Sequence, residues 1–183
     1  MASITLTWVP AGGANSLSQD VQFRISGAST WTTYQNVGPS VTTLRVDGLN
    51  DNVLYEFQIV DNCVYGGPVA SAPATAVKIT CPALGFTNTY DTVEYVFNHL
   101  GGNVDQYVID LLDANSNLIA TQTVSSMTPV ISGSFSGLTP ATTYQVRVTP
   151  SVAGISQACV ATGTQTAPPP VCDAPTNVTA ALS

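Results

Sequence analysis

The residues able to carry out chemistry are few and scattered. His99 is the only histidine, so no pair of imidazoles can bind a metal and no nucleophile–histidine–acid triad can form without it. It follows a predicted strand at the start of a loop, where we expect a solvated side chain. Four cysteines complete the reactive set, and they allow three pairings. This inventory gives no support to an enzyme.

The acidic residues offer only part of a calcium motif. The segment DANSN places Asp113, Asn115 and Asn117 at positions 1, 3 and 5 of a calcium-binding loop. Leu118 stands where that loop needs glycine, and Val124 stands where it needs a bidentate glutamate. Asp and Asn also favour tight turns, because their side chains bond the neighbouring main chain. We therefore predict a hairpin turn and no metal site.

Other polar motifs also predict no ligand. Three acidic residues fall in predicted loops without ligand spacing and are interpreted as solvated carboxylates: Asp47, Asp51 and Asp61. The glycine pairs at 12–13 and 101–102 precede no predicted helix, so they do not indicate a phosphate site. We expect no cofactor.

Composition narrows the class of partner. Only 8% of the residues are charged, and the net charge is −7. A nucleic acid or an anionic membrane would need a basic stripe, but the basic residues are scattered: Arg24, Arg45, Lys78 and Arg147. No run approaches the ~18 apolar residues of a membrane-spanning helix. The segment MASITLTWVP shows no signal peptide, so we expect an intracellular protein, release by another route such as host lysis, or a signal replaced by Met1.

The chain contains an internal repeat. ITLTW at 4–8 recurs as VEYVF at 93–97, and VDGLNDNVLYEFQI at 46–59 recurs as FSGLTPATTYQVRV at 135–148. Both pairs are 89 residues apart, and a shared offset at two distant places is the mark of a true repeat. A third strand matches Val21 with Tyr107 at an offset of 86. Apolar residues alternate with polar ones throughout, and this period predicts an all-β sandwich of short strands.

Two of these segments carry a family resemblance. GLNDNVLYEFQI and GLTPATTYQVRV resemble the E–F corner of fibronectin type III domains, whose pattern is G-L-x-P-x-T-x-Y before an alternating strand. The resemblance implies two tandem fibronectin type III-like β-sandwiches. It also implies a tyrosine corner in each, in which the Tyr hydroxyl bonds the turn backbone. The corner residues are Leu49, Tyr55, Leu138 and Tyr144.

The resemblance also divides the chain and orders its cysteines. We expect a first repeat at 1–80, a second at 81–170 and a tail at 171–183. In this fold Cys81, at the start of strand A, and Cys159, near the F–G loop, lie at the same end of the second sandwich and are expected to form a disulfide. Cys63 would need a cysteine at the start of a strand A in its own repeat.

The first repeat has no such strand. The equivalent of 81–89 is missing from it, while the tail CDAPTNVTAALS aligns with that strand, Cys172 on Cys81. We therefore hypothesise that the tail of another copy supplies strand A and forms an inter-subunit Cys63–Cys172 disulfide, building a ring or a filament. The assembly-strand residues are Pro175, Asn177, Val178, Ala180 and Leu182. Two alternatives stay open: a slice of a longer array, or a first repeat that dispenses with strand A.

The favoured function is a non-enzymatic structural protein of a virion or an extracellular filament, such as a phage capsid decoration, head fibre or tail component. Its partners would be other copies of itself or other virion proteins, and bridged cysteines indicate an oxidising destination. The alternative is an adhesin or a carbohydrate-binding or spacer module, since the chain also resembles the cysteine-bearing arrays of secreted Bacteroidota proteins. A glycan would then face Trp31, Tyr34 and Tyr65. A second alternative is an intracellular scaffold with reduced cysteines.

Overall fold

The computed structural model describes residues 1–10, 15–125 and 128–170, and these form β-strands and connecting loops without any helix. No membrane-spanning helix is therefore present in those three ranges. The all-β prediction is confirmed, and the strands form two successive sandwiches.

Within the described residues, each sandwich packs a small sheet against a larger one. In the first sandwich, β1 pairs with β4, and the facing sheet has the order β3-β2-β5-β6 with β7 also on β5. Its strands are β1 (Ala2–Thr7), β2 (Ser16–Ile25), β3 (Thr32–Val37), β4 (Thr43–Leu49), β5 (Tyr55–Cys63), β6 (Val69–Ala70) and β7 (Ala74–Ala76).

The second sandwich repeats this arrangement with one more strand in its small sheet. That sheet has the order β12-β9-β8, and the facing sheet has the order β11-β10-β13-β14 with β15 also on β13. The strands are β8 (Gly85–Asn88), β9 (Val93–Asn98), β10 (Gln106–Asp113), β11 (Leu118–Val124), β12 (Val130–Phe135), β13 (Thr143–Val152), β14 (Ile155–Ser156) and β15 (Thr162–Gln165).

Alternation along the strands builds both cores. In β9 the alternate residues Val93, Tyr95 and Phe97 are buried, while the residues between them are exposed. Because successive side chains of a strand point to opposite faces, one face of each sheet turns inward. The two apolar faces then pack against each other to form the core of the sandwich.

A tyrosine corner closes each sandwich at the same place in the repeat. The Tyr55 hydroxyl accepts a hydrogen bond of 3.1 Å from the Asn50 backbone N–H. The Tyr144 hydroxyl accepts one of 3.1 Å from the Thr139 backbone N–H. Both rings are buried, at 4% and 6% exposure, so each hydroxyl is satisfied inside the turn that its own ring supports.

The offset predicted for the third strand is wrong. Val21 pairs with Ile59, and Ile109 pairs with Val148. Because Ile59 and Val148 are counterparts 89 residues apart, Val21 corresponds to Ile109, and the offset is 88 rather than 86. Gln19 therefore takes the place of the buried Tyr107. Gln19 is 1% exposed, and its side-chain oxygen accepts a hydrogen bond of 2.9 Å from Trp8 Nε1. A buried polar residue breaks the hydrophobic pattern on which the sequence alignment depended.

We expect Tyr144→Phe to lower the free energy of unfolding of the second sandwich by about 1 kcal/mol, since it leaves the Thr139 N–H without its acceptor. Urea denaturation followed by circular dichroism measures the change. The matched control is Tyr90→Phe, because that ring is 46% exposed. Equal midpoints for the two variants would contradict a stabilising corner.

Candidate functional site

Within the described ranges, one edge of the first sandwich is uncovered. β1 and β9 are equivalent strands, 89 residues apart, but β9 lies between β12 and β8 whereas β1 pairs with β4 alone among the described residues. Among the described residues, no strand takes in the first sandwich the place that β8, strand A, takes in the second. The free side of β1 presents backbone groups that a further strand could pair with.

The inward face of β1, next to this edge, is partly exposed. Val93, Tyr95 and Phe97 of β9 are 0%, 2% and 3% exposed. Their counterparts Ile4, Leu6 and Trp8 are only partly buried. β8 accounts for the difference, because its side of the second sandwich adds Leu84 and Phe86 to the core.

The opposite wall of the gap is exposed in the same way. Ile59 on β5 is only partly buried, although its counterpart Val148 is 1% exposed. Two adjoining cavities of about 310 and 320 Å³ lie between β1 on one side and β5 with its neighbouring strands on the other. Both are lined by Trp8, Val9, Ile59 and Ser71. We call this space the strand A cleft. It is an apolar groove beside an open strand edge.

A disulfide holds the corresponding place closed in the second sandwich. Cys81 and Cys159 are bonded, with an S–S distance of 2.10 Å and Cα atoms 5.7 Å apart. The Cys159 N–H donates to the Val148 carbonyl oxygen at 2.9 Å. The bond thus ties the segment leading into β8 to the segment that runs along β13.

Cys63 does not occupy the position of Cys159. The residue whose N–H donates to the Ile59 carbonyl oxygen is Ser71, at 2.8 Å, and Ile59 is the counterpart of Val148. Cys63 instead ends β5 and lines one of the two cavities of the strand A cleft. It has no disulfide partner among the described residues. Cys172 and the predicted assembly strand, Pro175 to Leu182, lie outside the described residues.

A second structural feature joins the two sandwiches through Asn52. This residue is 4% exposed and has a φ of 61°. Its backbone N–H donates to the Lys78 carbonyl oxygen at 2.8 Å. Its side-chain amide donates to Leu100 O at 3.2 Å and accepts from the Thr80 N–H at 2.8 Å. One side chain of the first sandwich thus bonds both the linker and a loop of the second.

The same loop packs tightly against the Asn52 backbone. The Asn103 N–H donates to the Asn52 carbonyl oxygen at 2.8 Å, and the Asn103 side chain accepts from the Leu54 N–H at 3.1 Å. A Cβ atom at Gly102, whose φ is 63°, would lie 2.4 Å from the Asn52 oxygen. Only glycine fits this contact, so the loop and the turn form a close-packed joint.

The residues considered for metal chemistry are used in local structure. The Asp113 carboxylate accepts hydrogen bonds from the Asn115 and Asn117 backbone N–H groups and from the Asn117 side chain, each at 2.8 Å. The bond from the Asn117 side chain is the main cause that lowers the pKa of Asp113. The oxygens of the Asp113 carboxylate are therefore engaged in hydrogen bonds that stabilise the β10–β11 turn. The described residues contain no cluster of His, Cys, Asp or Glu suited to a metal ion.

Two predictions of solvated side chains are wrong. The His99 ring lies edge-on to Tyr107, with centroids 5.5 Å apart, and its Nε2 atom is buried. Its Nδ1 atom accepts a hydrogen bond of 2.8 Å from the Gly101 N–H, so the histidine shapes its loop. Asp61 is 7% exposed in β5 and accepts a hydrogen bond from the Ser16 hydroxyl. Asp47 is exposed, and the Asp51 side chain is 33% exposed.

The three aromatic residues considered for glycan contact have different surroundings. The Arg24 guanidinium lies over the Trp31 ring, 4.3 Å from its centroid. Tyr34 packs edge-on against Phe23, with centroids 6.3 Å apart. Tyr65 is 77% exposed. Trp31 and Tyr34 are therefore engaged within the sandwich, and glycan binding stays a prediction.

No protein-family model matches the chain. A curated relative, the protein turtle of Drosophila melanogaster, is 34% identical over 77 residues, which is 40% of this chain. The chain spans only 5% of the length of that relative.

Solved structures resemble the chain over most of its length. A segment of two fibronectin type III domains from chicken tenascin has a TM-score of 0.55 at 14% identity and covers 90% of this chain and 92% of its own. The chicken CNTN1 FN1-FN3 domains score 0.42 at 16% identity, covering 90% and 60%. The chicken interferon gamma receptor alpha chain scores 0.49 at 14% identity, covering 89% and 91%. The tenascin likeness shows the fold: two tandem fibronectin type III-like sandwiches.

Loss of the Cys81–Cys159 bond should destabilise the second sandwich by about 2–5 kcal/mol, the usual cost of removing a native disulfide from a small domain. The double variant Cys81→Ser/Cys159→Ser tests this. Both tryptophans, Trp8 and Trp31, lie in the first sandwich, so their fluorescence follows that sandwich while circular dichroism follows both.

We expect the circular dichroism transition to move to lower urea and the fluorescence transition to change much less. The control is Cys63→Ser, which leaves the bond intact. An unchanged circular dichroism transition in the double variant would show that the bond contributes no stability.

Asn52→Gly should loosen the joint, because it removes the amide bonds to Thr80 and Leu100 while glycine still accepts the positive φ. NMR relaxation measures the rotational correlation time of each sandwich. We expect similar times in the native chain and divergent times in the variant. The control is Asn50→Ala, whose side chain is exposed. Unchanged times in Asn52→Gly would mean that other contacts hold the joint.

Proposed function

We propose that this chain is a non-enzymatic structural protein whose copies join head to tail. Residues 172–183 of one copy would add a strand to the free edge of β1 in the next copy. The observation that carries the proposal is the strand A cleft, an open strand edge over a partly exposed core. The second sandwich, with the same fold and a filled cleft, supplies the comparison.

Both the backbone and the core would gain from an added strand at this edge. A strand added to a sheet edge satisfies backbone N–H and C=O groups by main-chain hydrogen bonds. It would also cover the inward side chains Ile4, Leu6 and Trp8, which are partly exposed in the isolated chain. Because these side chains are already partly buried, completing their burial contributes a part of the about 1.5–3 kcal/mol that full burial of such a side chain gives. The edge is therefore a strong site for strand addition.

The proposed occupant has the pattern of such a strand. In the sequence of the tail, Val178, Ala180 and Leu182 alternate with small or polar residues, which is the pattern of a strand with one buried face. Contact between the tail of one copy and the head of another is heterologous, so it extends to a ring or an open filament.

The destination of the assembly follows from its covalent chemistry. The Cys81–Cys159 disulfide favours an oxidising environment, since structural disulfides rarely persist in a reducing cytosol. Only 8% of the residues are charged, so we propose that neither a nucleic acid nor an anionic lipid surface is the partner. We propose a component of a virion or of an extracellular fibre.

The test measures assembly of the full chain. Analytical ultracentrifugation and electron microscopy should show rings or filaments for the native chain. Deletion of residues 172–183 should reduce it to monomers, because it removes the donated strand whatever register that strand adopts. The control is Val160→Asp, since that side chain is 91% exposed.

Two results would overturn the proposal. One is a native chain that stays monomeric at all concentrations. The other is an assembly that survives deletion of residues 172–183 as well as it survives Val160→Asp. Each measurement is repeated with reductant, so that strand addition is measured separately from any disulfide between copies.

A further inference from the structure

We propose that the donated strand enters the cleft with Val178, Ala180 and Leu182 facing the core, and that this register brings Cys172 to Cys63 of the next copy. The inference rests on the proposed strand donation and fixes its register. It replaces the alignment of Cys172 on Cys81, in which the tail cysteine would take the place of its counterpart in the second sandwich.

β8 is the template for the register. Leu84 and Phe86 pack against the core of the second sandwich. Asn88, next in the alternation, points its amide at β15 and donates to Thr164 Oγ1 at 2.6 Å. Positions 84, 86 and 88 therefore form the inward face of strand A. Phe86 pairs with Tyr95 of β9, the counterpart of Leu6 in β1.

The two registers differ in what they bury. With Cys172 on Cys81, the inward positions are taken by Pro175, Asn177 and Thr179. Burying an amide or hydroxyl without a hydrogen-bond partner costs about 1–3 kcal/mol. With Val178 on Leu84, the inward positions are taken by Val178, Ala180 and Leu182. Gln19, Gln58 and Asp61 also line the cleft, but Leu6, Trp8 and Ile59 form its apolar part. By analogy with the Phe86–Tyr95 pair, the middle inward position lies opposite Leu6, so the second register is favoured.

This register moves the tail cysteine along the cleft. Pro175 then takes the position of Cys81, and Cys172 lies three residues before it, about 10 Å further toward the end of the cleft where β1 and β5 end. A cysteine at that place cannot reach Ser71, the counterpart of Cys159, because bridged Cα atoms lie within about 7 Å.

Cys63 is displaced in the same direction. It lies four residues beyond Ile59 on β5, about 13 Å toward the same end, whereas Ser71 bonds the Ile59 carbonyl itself. Cys63 also lines the cavity that contains Trp8 and Val9, past which the donated strand must run. Both cysteines are therefore shifted toward the same end of the cleft by similar distances. In this register Cys63 of the first sandwich therefore lies where Cys172 of the donated tail arrives.

The bond forms by thiol–disulfide exchange with a small disulfide such as oxidised glutathione. The Cys172 thiolate attacks that disulfide and releases one glutathione thiolate. The Cys63 thiolate then attacks the Cys172 sulfur of the mixed disulfide and releases the second. Two protons pass from the protein thiols to the two glutathione thiolates, and two electrons reduce the small disulfide. Strand donation thereby becomes a covalent link in an oxidising environment.

The test is a set of full-length chains in a glutathione redox buffer, resolved on non-reducing gels. The native chain should give a ladder of covalent oligomers. Cys63→Ser/Ser71→Cys should lose at least tenfold of that ladder, because Cys172 lies beyond reach of position 71. Adding Cys172→Ser/Pro175→Cys to that variant should restore it. Ser71 is exposed, and its substitution by cysteine keeps the size of the side chain while replacing the hydroxyl that accepts from the Ile59 N–H at 3.1 Å by a weaker acceptor.

The outcomes separate the register from strand donation itself. A ladder from Cys63→Ser/Ser71→Cys that is as strong as the native one, or no ladder from the native chain while head-to-tail assembly persists in the ultracentrifuge, overturns the register and keeps strand donation. Absence of both ladder and assembly overturns strand donation as well. A ladder in the native and restored chains alone supports the register.

Discussion

The edge of β1 that no described strand pairs with is the constraint from which the differences between the two sandwiches follow. A strand at the edge of a sheet exposes N–H and C=O groups that are as ready to pair as those inside the sheet. In the second sandwich β8 pairs with this edge and adds Leu84 and Phe86 to the core. In the first sandwich the same edge adjoins the strand A cleft, and Leu6 and Ile59 stay partly exposed. The two sandwiches share one fold and differ at this edge, so comparing them shows how much one strand contributes to the burial of the core.

The joint between the sandwiches is not repeated in full at the far end of the second one. Ala141 occupies the position of Asn52, has a φ of 51°, and donates its N–H to the Ala167 carbonyl oxygen at 3.1 Å. This backbone bond matches the one from Asn52 to Lys78, but alanine has no amide to bond a following loop. The joint inside the chain is therefore stiffened by a side chain that the outer position lacks. Three prolines, 168–170, follow that position and favour an extended linker.

The cysteines show how two repeats diverge around one fold. In the second repeat the bond between Cys81 and Cys159 secures a strand that belongs to the same sandwich. In the first repeat Ser71 holds the position of Cys159, and the cysteine has moved to the end of β5. Cys63 therefore lies at the end of the strand A cleft, without a disulfide partner among the described residues.

The sequence by itself determined the all-β class, the repeat of 89 residues and the tyrosine corners. These follow from local patterns, since alternation in a strand and the Leu-to-Tyr spacing of a turn are set within a few residues. Only the tertiary structure decided that Gln19 is buried, that His99 packs on Tyr107, and that Ser71 is the counterpart of Cys159. Each of these depends on which strand lies alongside. Polar residues enter a core when a distant partner satisfies them, as Trp8 and Gln19 satisfy each other, and no local pattern carries that information.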